Sequence, residues 1–207
     1  MNNSFDEKVN HISMAAFQRN REHIEQEVML NLLSEIEENP SITQRSLAQE
    51  LGIALGLMNA YLKRSIKKGW IRANQVSPRR IRYFLTPEGF VEKSKMVKDY
   101  LSRSMTFFRD AKAQCEDVIT HCKAKGWRRI ALVGEGDLTE IALLVIHSSQ
   151  IECLQCDLKS NFQEFDAALI TDIVNPQSIY DILSNQIDNQ RLLTLELLRI
   201  SRKKPRT

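Results

Sequence analysis

Between residues 43 and 69, two short apolar-periodic segments are separated by Leu51-Gly52-Ile53 and closed by Gly69. This punctuation limits the possible folds more than any other feature of the chain. In the first segment, 43–51, Thr43 stands where a helix cap is expected, and Leu47, Ala48 and Leu51 fall on one face. Gly52 supplies the tight turn. The second, from about 55 to 68, carries Leu55, Met58, Leu62 and Ile66 as its expected inner face, and Gly69 ends it. Upstream, residues 21–39 read as a longer helix in which Ile24, Val28, Leu32 and Ile36 recur every four residues beside Leu33, until Asn39-Pro40-Ser41 breaks the pattern. Downstream, 70–75 and 81–85 read as short strands joined at Val76-Ser77-Pro78-Arg79-Arg80. Helix, helix, turn, helix and hairpin in that order predict a winged helix-turn-helix domain over residues 21–89.

Charge is sorted along the same boundaries. From Thr43 to Thr86 nine cations, Arg45, Lys63, Arg64, Lys67, Lys68, Arg72, Arg79, Arg80 and Arg82, face the single acid Glu50, a balance of +8. Before Thr43 eight acids face three cations (−5), and from Trp127 to Ile200 eleven face five (−6). A net positive charge concentrated so sharply in one segment points to a polyanion partner for that segment alone. A helix entering the major groove leads with small or polar groups and leaves its cations for phosphate. Here Leu55, Gly56 and Leu57 lead, Asn59 suits an adenine edge, and Lys63, Arg64 and Lys67 trail. Gln44 and Arg45, at the start of the preceding helix, are placed to meet backbone or base edges. Arg79 and Arg80 at the wing tip, with Arg82 two residues on, suit a narrow minor groove. The partner these residues predict is double-stranded DNA.

Thr86-Pro87-Glu88 has the cap and first-turn proline of a new helix. Residues 90–125 then hold neither Gly nor Pro, and Phe90, Ser94, Val97, Leu101, Ser104, Phe108, Ala111, Cys115, Val118 and Cys122 alternate in steps of four and three. That spacing predicts a linking helix with a seam for helix-on-helix packing, as in a homodimer. After Gly126 the period changes. Apolar strands at 129–133, 151–156 and 167–171 alternate with helices at 138–148 and 177–186, and 191–198 is read as a further strand. Over 127–200 this predicts a small parallel sheet covered by helices, so the expected class is α+β followed by α/β.

The stretch SITQRSLAQELGIALGLMNAYLKRSIKKGWI followed by RYFLTPEGFVEKSK resembles the MarR-type winged-helix regulators, within them the group associated with exopolysaccharide gene clusters. The turn at Leu51-Gly52-Ile53, Leu55-Gly56, Asn59, Lys63, Gly69-Trp70 and Leu85-Thr86-Pro87-Glu88-Gly89 match, whereas Ala54 and Leu57 depart from the usual residues. The resemblance covers residues 24–96 and implies a homodimeric, sequence-specific transcriptional regulator, of polysaccharide or cell-surface genes, on near-palindromic operators. RIALVGEGDLTEIALLV and FDAALITD are similar to a truncated Rossmann-type domain. In that likeness Gly134, Gly136 and Thr139 form a partial dinucleotide turn, Asp157 stands near the ribose-binding position, and a nucleotide- or sugar-nucleotide-responsive switch is the alternative function. Glu135 and Asp137 put negative charge in the phosphate path.

No other cofactor is expected, and no metal. Cys153 and Cys156 lie three apart in a strand and face opposite sides. Cys115 and Cys122 are about two helical turns, roughly 10.5 Å, apart. All four read as buried small hydrophobes, and His147 as a core residue. No catalytic arrangement stands out, so no enzymatic activity is expected. A polar, acid-bearing amino terminus and the lack of any apolar run near the roughly 20 residues of a membrane helix predict a cytoplasmic protein without a membrane partner. The small-molecule effector is not legible in the residues, and the tail 202–207 is expected to be disordered.

Overall fold

A computed structural model describes residues 22–77 and 80–202. It divides into two compact units between Arg103 and Ser104. Arg79, placed at the wing tip by sequence, and the tail 203–207 lie outside the described residues.

The first unit contains α1 (22–38), α2 (Gln44–Glu50), α3 (Leu55–Lys67), β1 (Ile71–Ser77) and β2 (Arg80–Leu85), and α4 (Pro87–Lys125) begins within it. Thr43 caps α2 by accepting from the Ser46 amide, which satisfies one of the free N–H groups of the first turn. One core joins Met29, Leu32, Leu33 and Ile36 of α1, Ile42, Leu47 and Ala48, Met58, Tyr61 and Leu62 of α3, and Ile71 and Tyr83 of the hairpin. Ser65, fully buried among them, satisfies its hydroxyl by donating to the Tyr61 carbonyl at 3.0 Å. β1 and β2 pair antiparallel, Ile71 opposite Leu85 and Asn74 opposite Arg82, with an irregular register between Gln75 and Ser77.

In the second unit β3 (Arg129–Val133), α5 (Asp137–His147), β4 (Glu152–Cys156), β5 (Ala167–Ile170), α6 (Pro176–Leu183) and β6 (Leu192–Thr194) follow in turn. The four strands are all parallel, in the order β4-β3-β5-β6. β5 is buried along its whole length and β3 nearly so, as strands covered on both faces must be. The chain leaves β3 toward one edge and later builds toward the other. Right-handed crossovers therefore place α5 and α6 on opposite faces of the sheet. Asp166 aligns the strand starts: its carboxylate accepts from the Arg128 and Arg129 amides at 2.6 and 2.9 Å, and Arg191 Nε donates to its carbonyl at 2.8 Å.

Several expectations change. Ile24, Leu55 and Ile66 are exposed, not inward. A step of four overshoots the 3.6-residue turn, so the buried face of α3 is Met58, Tyr61, Leu62 and Ser65. The segment 191–198 is a strand only at Leu192–Thr194, after which Glu196–Leu198 forms a 3₁₀ turn ended by Arg199 in the left-handed region. His147 ends α5 on the surface. The seam of α4 is not one surface either. Phe90, Val97, Leu101 and Phe108 are exposed, whereas Ala111, Cys115 and Cys122 are buried in the core of the second unit. Cys153 and Cys156, in β4, are only partly buried.

Two outcomes follow from this packing. The amide hydrogen bonds hold the Asp166 carboxyl below the ordinary value of 3.8. A group so depressed contributes stability above its unfolded pKa and loses it as pH falls through the folded one. Asp166→Asn should therefore lower the melting temperature at neutral pH and flatten the acid limb of the melting profile; an unchanged limb contradicts the clamp. Burial pushes the Cys115 and Cys122 thiols up to about 11. In a thiol-reagent assay at pH 8, both should react only after the chain is unfolded.

Candidate nucleic-acid interface

With Met58, Tyr61, Leu62 and Ser65 turned inward, the helical period fixes what α3 presents outward. Gly56, Ala60, Lys63 and Lys67, spaced at four, three and four, form the ridge opposite the core, and all four are exposed. Leu57 and Arg64 lie on one flank of this ridge, and Asn59 lies on the other with Leu55 behind it. Arg64 leans toward α1: its guanidinium lies 3.4 Å from the Glu25 carboxylate and 5.1 Å from the centre of the Tyr61 ring. Lys68 stacks on Trp70 at 4.2 Å. Lys63 and Lys67 form no ion pair among the described residues and are free for an external anion. Ala60 was missed by the sequence reading, although its place four residues after Gly56 marks it as part of the same ridge.

The hairpin carries its own cationic face. Opposed residues of an antiparallel pair share a side, so Arg72 and Phe84 lie together, as do Asn74 and Arg82, with Arg80 in the same alternation along β2. All are exposed. The other side is the inner one, where Ile71 and Tyr83 are buried. The Tyr83 amide donates to the Pro40 carbonyl at 2.9 Å, and the Tyr83 hydroxyl accepts from Gln44 Nε2 at 2.8 Å. The Gln44 side chain, expected at the interface, thus ties the start of α2 to the wing, while its neighbour Arg45 is exposed.

The base of the hairpin, where the chain leaves β2, is fastened as well. Thr86 donates its hydroxyl to the Gly69 carbonyl at 2.6 Å, its amide donates to the Trp70 carbonyl at 3.0 Å, and its Oγ accepts from the Gly89 amide at 3.0 Å. A side chain at Gly89 would collide with the Trp70 carbonyl. Leu85-Thr86-Pro87-Glu88-Gly89 therefore locks the wing exit onto the end of α3.

In the second unit the partial dinucleotide turn lies at the carboxyl end of β3, beside β5, where the strand order reverses. In parallel sheets this is the place where ligands bind. Gly134 (φ 151°) packs so closely on Thr171 and Asp172 that a Cβ would not fit. Thr139 and Thr171, both buried, share a hydrogen bond of 2.7 Å, and Gln155 donates to the Gly134 carbonyl at 2.9 Å. Gly136 caps α5 without a side-chain bond. Asp157 turns onto its own loop, accepting from the Lys159 amide and the Ser160 hydroxyl, and these bonds lower its pKa. Among the described residues no group of three or more His, Cys, Asp or Glu is placed to hold a metal ion. No helix among them is long and apolar enough to cross a membrane.

Residues 26–72 match the family model described as winged helix-turn-helix DNA-binding. No curated protein matches the chain. Among solved structures, the PcaV transcriptional regulator from Streptomyces coelicolor is similar at 16% identity and a TM-score of 0.39, over 56% of this chain and 97% of that one. The S. aureus MepR–DNA complex is similar at 17% identity and 0.35, over 56% and 96%. PigF with SAH is similar at 12% identity and 0.25, over 92% and 60%.

If the bond between Gln44 and Tyr83 sets the wing on the helical core, Tyr83→Phe should cost about 1 kcal/mol in urea unfolding. An unchanged midpoint contradicts that role.

Proposed function

We propose that the chain is a sequence-specific DNA-binding transcriptional regulator, with α3 in the major groove and the wing on the adjacent minor groove or backbone. The observation that carries this reading is the uncommitted cationic ridge of α3. Lys63 and Lys67 stand in the trailing half of an outward face whose leading half is small and apolar, next to a hairpin presenting Arg72, Arg80 and Arg82. Neutralising phosphate needs cations that no internal acid has claimed. The exposed Phe90, Val97 and Leu101 of α4 support assembly of two copies on a near-palindromic site. The resemblance of residues 24–96 makes polysaccharide and cell-surface operators the first to test.

A salt titration of binding decides between this and a merely solvated basic face. Replacing both Lys63 and Lys67 by Ala should reduce the slope of log K against log salt by about two per half-site, about four for two copies, with stability unchanged because both side chains are exposed. An unaltered slope in fluorescence anisotropy overturns the proposal.

A further inference from the structure

The leading half of α3 holds no side chain able to read guanine. From Ala54 to Ala60 there is no Arg or Lys, the residues whose donors pair with the guanine edge. Instead it exposes carbon: Leu55 is 42% and Leu57 48% exposed, in a half of the helix whose other large apolar side chain, Met58, is buried. Two exposed leucines in one turn cost the free protein apolar hydration that folding has done nothing to relieve. Between the flanks the ridge is reduced to Gly56 and Ala60. A helix with only a hydrogen and a methyl along its crest can seat its backbone deep in the groove. Side chains on both flanks then reach the groove floor. On one flank that is Leu57. On the other it is Asn59, whose Oδ1 is enclosed and has no hydrogen-bond partner among the described residues. An oxygen left unpaired in this way loses no bond on turning outward, and it gains one if it accepts from an adenine amino group.

We infer that α3 reads an A·T-rich half-site, with Leu57 and the crest at Gly56 and Ala60 packed on thymine 5-methyl groups and Asn59 bonded to an adenine. The inference rests on the DNA-binding reading above and specifies what that same surface recognises. Duplex DNA covers Leu57 because it flanks the crest of α3 that carries Lys63 and Lys67, so one docking event places cations on phosphate and carbon on the thymine methyls. A protein partner seated on Leu57 would have to approach beside the same lysines.

The test selects binders for the full chain from a random-sequence duplex pool and measures Kd by anisotropy for the enriched duplex. Thymines are then replaced one at a time by deoxyuridine, which removes only the 5-methyl and leaves every hydrogen-bonding edge intact. The enriched core should be A·T-rich, and deoxyuridine at one or two positions should weaken binding about fourfold each. Leu57→Ser should abolish the penalty at one of those positions while leaving the salt slope unchanged, a pattern that loss of folding cannot produce. Enrichment of G·C pairs, or indifference to every uracil, overturns the inference and leaves the DNA-binding reading standing. Failure to retain any duplex overturns both.

Discussion

Burying Met58, Tyr61, Leu62 and Ser65 against α1 leaves α3 a single face to offer, and the features of the proposed interface follow from that burial. The core contributed by Met29, Leu32, Leu33 and Ile36 fixes the rotation of α3 about its own axis. A rotation by one residue, about 100°, would carry Lys63 and Lys67 off the crest and bring the buried side chains toward water. The cost of exposing several large apolar side chains, about 2 kcal/mol each, makes that rotation inaccessible. The same packing that stabilises the domain therefore aims its cations.

The wing is held to this core along β2 and where β2 leaves the hairpin. Tyr83 joins β2 to Pro40 and Gln44, and Thr86 joins the wing exit to Gly69 and Trp70. The bonds of Gln44 to Tyr83 and of Thr86 to Trp70 involve polar groups partly removed from water that would be costly to leave unmet, whereas the bond of Thr86 to Gly69 is exposed. Their effect is mechanical as well as energetic. A hairpin of two strands is marginal alone, and fastening its base to the helical core lets Arg80 and Arg82 be presented on a defined face. The second unit is built on a different plan, a parallel sheet whose strand starts are aligned by Asp166 and Arg191. At the point where its strand order reverses, Gly134 lies directly on Thr171, and Thr139 bonds to the same threonine.

Element order was legible because the breakers are local and unambiguous. Gly52, Gly69, Pro87 and Gly126 end or begin elements by backbone geometry that needs no tertiary context. Which residues face inward was less legible. Ile24 and Ile66 looked like core because they continue a four-residue step that drifts off one face of a helix, and Leu55 because it stands three before Met58, yet it lies at the edge of the buried face. The apolar seam of α4 was visible, but its division into an exposed half at Phe90 to Phe108 and a buried half at Ala111 to Cys122 was not. Packing on a sheet and packing on a helix demand the same periodicity. Within the candidate interface the cations were found by their charge. The role of Gln44 depended on a partner 39 residues away, which no local pattern announces.

The central claim, that the crest of α3 and the outer face of the wing meet duplex DNA together, is tested most directly by mapping contacts at single residues. Amide spectra of the full chain, titrated with a selected duplex of about 20 base pairs, should shift first at Gly56, Ala60, Lys63 and Lys67 and at Arg80 and Arg82. Amides of β3 and β5 should stay in place. Perturbations concentrated between Trp127 and Ile200, with α3 and the wing unmoved, would contradict the account.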